Sequence, residues 1–149
     1  MATTFAEIGD AVVAEIQAGI TANLWPSMTV TRAYLHEFEQ KDTTLRCSVA
    51  PASLAAGQIA RSIIRADKTV IITVSKKLAD TEKETIKPLT AGMEAMMDYY
   101  GQVRPLTGLN GAKVMAQVEQ DGFYDAGLLW GECLFVSIFT VGFQTFDDT

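Results

Sequence analysis

The run Glu132-Cys133-Leu134-Phe135-Val136-Ser137-Ile138-Phe139-Thr140-Val141-Gly142-Phe143 is dense in β-branched and aromatic residues and poor in helix formers, which predicts one long strand. Successive side chains of a strand leave on opposite faces. The odd positions carry Cys133, Phe135, Ser137, Phe139, Val141 and Phe143, and the even ones Leu134, Val136, Ile138 and Thr140, so neither face is made for water. Such a strand either lies central in a sheet covered on both sides, or turns one face to the core and the other to a second subunit.

Upstream, Asp121-Gly122 is a turn signal, and Lys113 to Glu119 alternates Val114, Ala116 and Val118 with Met115 and Gln117 as a strand does. Asn110-Gly111 turns the chain into it. Before that, Leu89, Met93, Met96, Met97 and Tyr100 recur at helical spacing, which predicts a helix starting near Pro88 and ending at Gly101, its methionines packed as core. The stretch Lys76 to Lys87 is almost wholly polar and reads as an exposed loop. Two β-prone runs, Ile59 to Arg65 and Thr69 to Ser75, flank Ala66-Asp67-Lys68 as a hairpin connection, with Arg61 and Arg65 on one face.

At the other end, Thr4 and Glu7 form a capping-box pattern ahead of Phe5, Ile8, Val12, Ile16 and Ile20, which predicts a helix from Phe5 to about Ala18 with Gly19 near its end. Trp25-Pro26-Ser27 breaks the chain. A strand follows over Met28 to His36, and another over Leu45 to Ala50 that Pro51 terminates, leaving Ala52 to Gly57 as a loop or one helical turn. The order helix, strands, helix, strands lacks the alternation of a doubly wound sheet. It predicts an α+β fold: one domain over residues 1–149, with a mainly antiparallel sheet of about five or six strands and two main helices packed on one face.

Composition sets outer bounds. Hydrophobic residues make up 48% and charged ones 20%, a globular balance, and Glu132 interrupts the only long apolar run. The first residues lack a basic and then apolar leader pattern, so a soluble, unexported protein is expected, with no membrane partner. Cys47 and Cys133 form no framework of bridges. Residues 1–113 carry all 12 Lys and Arg and 12 of the 18 Asp and Glu; residues 114–149 carry only Glu119, Asp121, Asp125, Glu132, Asp147 and Asp148. The net charge of -6 therefore lies at the C-terminal end, which argues against tight nucleic-acid binding.

A catalytic or metal constellation is hard to assemble. His36 is the only histidine, no Ser stands in a Gly-x-Ser-x-Gly elbow, and two cysteines with one histidine do not make a zinc site. Gly108-Leu109-Asn110-Gly111-Ala112-Lys113 lacks the Gly-Lys-Ser/Thr end of a phosphate loop and reads as a turn. Asp121 and Asp125 are better explained as turn residues than as an acid-base pair. No enzyme activity, cofactor or metal is expected.

The order of features does resemble a known group. A helix from the N-terminus, strands ending in Val49-Ala50-Pro51, Arg61 ahead of Val70-Ile71-Ile72-Thr73-Val74-Ser75-Lys76-Lys77, a helix near Met93, then Tyr124-Asp125 and Glu132 ahead of Phe135-Val136-Ser137-Ile138 are similar to the neck proteins of tailed bacteriophages, of the tail-terminator or tail-completion type. The resemblance implies a homo-oligomeric ring, six-fold in tail terminators, that caps the tail tube and joins it to the head-completion or connector protein. It implies a place in the virion neck, reached from the host cytoplasm during assembly, and no catalysis. A ring also accounts for a doubly apolar strand, because each subunit buries a different surface of the next.

On this reading Arg61, Arg65, Lys76, Lys77, Lys83, Glu132, Phe135 and Phe139 are candidates for subunit or tube contacts. Glu119, Asp147 and Asp148 are candidates for a lumen that the genome passes without sticking. The charged loop would project toward the lumen or the tube, or remain a solvated surface. The alternative is a small ferredoxin-like ligand-binding domain, or an adaptor that acts as a dimer and recruits a strand at its sheet edge.

Overall fold

The computed structural model describes residues 5–33, 44–60, 63–79, 83–102, 104–106, 112–119, 129–131 and 133–148. Its elements are α1 (Phe5–Thr21), β1 (Thr29–Arg32), β2 (Arg46–Ala60), β3 (Ile63–Lys77), α2 (Lys83–Tyr100), β4 (Arg104–Pro105), β5 (Ala112–Glu119) and β6 (Leu134–Asp148). The class is α+β. The strands form one sheet in the order β1-β2-β3-β6-β5-β4, and it is mixed: β1 runs parallel to β2 while the other pairings are antiparallel. Residue alternation carries no strand direction, but the chain from Ala33 to Leu45 is long enough for the crossover that a parallel pair needs.

The core is built on one parity of the central strands. Val49 stands opposite Ile72 and Ile72 opposite Phe139; Pro51, Val70 and Val141 make the next rung. Ile8, Val12 and Ile16 of α1 and Leu89, Met93, Met96 and Tyr100 of α2 pack on that side, so the methionine stripe is core. Each large side chain so buried contributes about 1.5–3 kcal/mol. A polar link joins the helices where the buried Tyr100 hydroxyl donates to the Glu15 carboxylate at 3.1 Å. At the edge, Arg32 of β1 pairs with Asp10 of α1 at 2.8 Å.

Several boundaries differ from the sequence pattern. α1 runs on to Thr21 and ends at Asn23, whose φ of 60° is the left-handed cap, with Leu24 N–H donating to the Gly19 carbonyl at 2.9 Å. Gly19 is therefore inside the helix, and what it provides is space for Trp25. Pro51 does not end β2: β1 pairs only as far as Val49, and a register shift between Pro51 and Ser53 carries the proline through on the open side of the sheet. Ala52 to Gly57 is strand rather than loop.

Ala66-Asp67-Lys68 is not a hairpin turn. It lies mid-strand in β3, opposite Ala56, Ala55 and Leu54 on one side and Thr145, Gln144 and Phe143 on the other, so tertiary pairing overrides the turn preference of the aspartate. Nor is Lys76 to Lys87 one loop. β3 continues to Lys77, Leu78 is buried with its N–H donating to the Cys133 carbonyl at 2.8 Å, and α2 starts at Lys83. Pro88 thus falls inside α2, where it forfeits the bond to the Glu84 carbonyl close to the helix start.

Candidate assembly surface

β2, β3 and β6 are each 15 residues long, which at the rise of a strand is about 50 Å. α1 and α2, with 17 and 18 residues, reach only about 25–27 Å. Neither helix is long enough by itself to span the three-strand ladder. The face of β6 away from the helices is apolar as its sequence indicated: Leu134 and Val136 are buried there, and Ile138 follows, 50% exposed. Ile138 pairs with Thr73, which pairs with Ser48, so it stands on a ground of small polar residues.

Phe135 and Phe139, expected as contact candidates, have the other parity and are fully buried in the monomer core. They hold the helices to the sheet and are not available to a neighbouring subunit. The half-exposed member of the strand is Ile138, which the alternation contained but could not single out. Ser137, between them in the chain and likewise fully buried, has a hydroxyl with no hydrogen-bond partner among the described residues.

The basic candidates separate along the sheet. Lys76 and Lys77 end β3 opposite Phe135 and Leu134, Lys83 opens α2, and Arg65 lies 11 positions from Lys76, opposite Gly57 and Phe146. Arg61, Glu132 and His36 lie outside the described residues. The acids do not converge within one subunit: Glu119 pairs with Thr140, whereas Asp147 and Asp148 pair with Ile64 and Ile63, about 24 Å further along β6.

Two further surface features escaped the sequence pattern. Between the end of α1 and the start of α2 lies an open cleft of about 420 Å³, lined by Leu24, Trp25, Pro26, Pro88, Ala91 and Gly92 among others. It exists because Gly92 lets Pro26 come close; a Cβ on Gly92 would lie 2.5 Å from Pro26 Cδ. Separately, a helical turn at 129–131 precedes Cys133, whose φ of 53° and bond to the Leu129 carbonyl close that turn; it buries Leu129 and leaves Trp130 84% exposed. Short aromatic-rich turns carry no periodicity, so nothing in the spacing marked Trp130.

Among the described residues no group of three or more His, Cys, Asp or Glu is placed to hold a metal ion, and no helix is long and apolar enough to cross a membrane. Cys47 is buried against the core, which pushes its thiol up to about 12 and leaves it protonated and unreactive near neutrality. The sequence matches no protein-family model and no functionally curated protein.

Proposed function

We propose that this chain is a structural protein of a tailed-bacteriophage virion, which forms a homo-oligomeric ring, six subunits in the simplest case, at the head–tail junction. The ring caps the tail tube and joins it to the connector, without catalysis or cofactor, and is assembled in the host cytoplasm. The observation that carries this reading is the long β2-β3-β6 ladder with Ile138 half-exposed on the face opposite the helices. Such a face loses little by meeting a neighbour and gains burial. Glu119 and the Asp147–Asp148 pair, separated along β6, would repeat around a ring as two acidic circles past which DNA moves.

The test is light scattering on the purified protein, followed by negative-stain imaging with and without the tail-tube protein. Rings, free or on tube ends, are expected. A monomer or dimer that ignores tube ends would end the proposal. Neutralising Glu119, Asp147 and Asp148 together tests the lumen, and unchanged DNA retention and ejection would remove that part. A second reading, an adaptor that acts as a dimer, draws on the outer edge of β2 beyond Val49, which no strand among the described residues covers.

A further inference from the structure

We infer that the sheet carries a joint across its middle, about which its far half turns relative to the helix-backed half on the β3–β6 pair. These two central strands run through without a break, 15 residues of β3 against 15 of β6. The strands flanking them both break register, and they do so at the same level. In β2 the pairs Pro51↔Val70 and Ser53↔Thr69 leave Ala52 as an extra residue. In β5 the pairs Val114↔Phe143 and Val118↔Val141 set Met115, Ala116 and Gln117 against Gly142 alone, two more residues than a regular ladder takes. Thr69 stands opposite Gly142 and Val70 opposite Val141, so one line crosses all four strands.

A register shift leaves the extra residue outside the ladder, and it bends and twists the strand that carries it. At this line only the β3–β6 pairing keeps its full set of bonds, so resistance to twisting is lowest there. Twisting a ribbon lengthens the path of its outer strands more than that of its central ones, and each extra residue supplies about 3.3 Å of chain where it is needed. Gly142 is the residue type that strands place at such bends. The other elements divide at the same line. β1 ends at Val49, and the first turn of α1 shares a small cavity with Val49, Pro51 and Val70, all on the near side. β4 pairs with Lys113 and Val114, on the far side. The far half is held down at rest: Phe143 and Thr145, which have the parity of Phe139, are fully buried, and turning exposes them. The inference rests on the register of the sheet and not on the ring reading.

Residue-resolved hydrogen exchange on the full chain tests this. The protected amides of 53–60, 63–69 and 143–148 are expected to exchange as one unit, roughly 10-fold or more faster than those of 70–76 and 135–141. The step should fall between Thr69 and Val70 on one strand and between Val141 and Gly142 on its partner. A single rate for the whole sheet, or a gradual change toward the strand ends, overturns the joint. Two deletions test its cause, one removing Ala52 and the other removing Ala116 with Gln117; each restores regular alternation and keeps the flanking pairs. Each should slow exchange of the far half toward the rate of the near half and leave the near half unchanged. A far half that exchanges as in the wild type in both folded variants overturns the inference. Where a deletion prevents folding, the step in the wild type decides alone.

Discussion

The indole of Trp25 lies directly against the backbone of Gly19: a Cβ at that glycine would sit 2.0 Å from Trp25 Cζ2, and the indole N–H donates to the Ile16 carbonyl at 3.0 Å. The ring also meets Tyr99 edge-on, with centroids 5.6 Å apart, and Tyr99 meets Tyr100 in the same way. This contact folds the chain back after α1 and fixes the wall of the cleft.

Gly19→Ala should therefore destabilise the protein although alanine is the better helix former. The indole must move, at about 1–3 kcal/mol, against the roughly 1 kcal/mol that alanine contributes in an unconstrained helix. Urea denaturation gives the sign; a stabilised variant would contradict the packing.

Ile138→Glu and Phe139→Glu are adjacent substitutions with opposite expected outcomes. The first changes a half-exposed position and should leave monomer stability within about 1 kcal/mol while weakening ring formation. The second buries a carboxylate in the core and should cost more than about 4 kcal/mol, enough to prevent folding. Circular dichroism and sedimentation on the pair separate the two faces.

Ser137→Ala should be neutral or stabilising by up to about 1 kcal/mol, since it removes a fully buried hydroxyl that lacks a partner among the described residues. A loss of stability in denaturant titration would show that this hydroxyl is satisfied.

Cys47 should resist thiol reagents in the native state and react on unfolding. Its thiol is raised from an ordinary 9.0 to about 12 by burial, so the folded form holds a proton that the unfolded form loses first. The stabilisation this gives is complete below pH 9 and falls away as pH rises from 9 to 12. A pH series of thermal unfolding on wild type and Cys47→Ala should show that difference only in the alkaline limb.

The apolar periodicities of α1, α2 and the last strand were legible in the sequence because they record which side chains need burial, and burial has a fixed period in each element. The candidate site was less so. Phe135 and Phe139 stood out because they are large, yet size is what places them in the core; Ile138, Trp130 and the cleft at Gly92 depend on which partner each face finds.

What the sequence determined alone was local: the α+β order of elements, the apolar side chains on both faces of β6 and the concentration of the net negative charge in residues 114–149. Tertiary structure decided that Pro51 and Asp67 lie within strands, that β1 runs parallel to β2, and which face of β6 the helices cover. Local propensity differs between conformations by about a kilocalorie per residue, whereas pairing on both edges of β3 and burial of a Phe139 act over many residues at once and outweigh it.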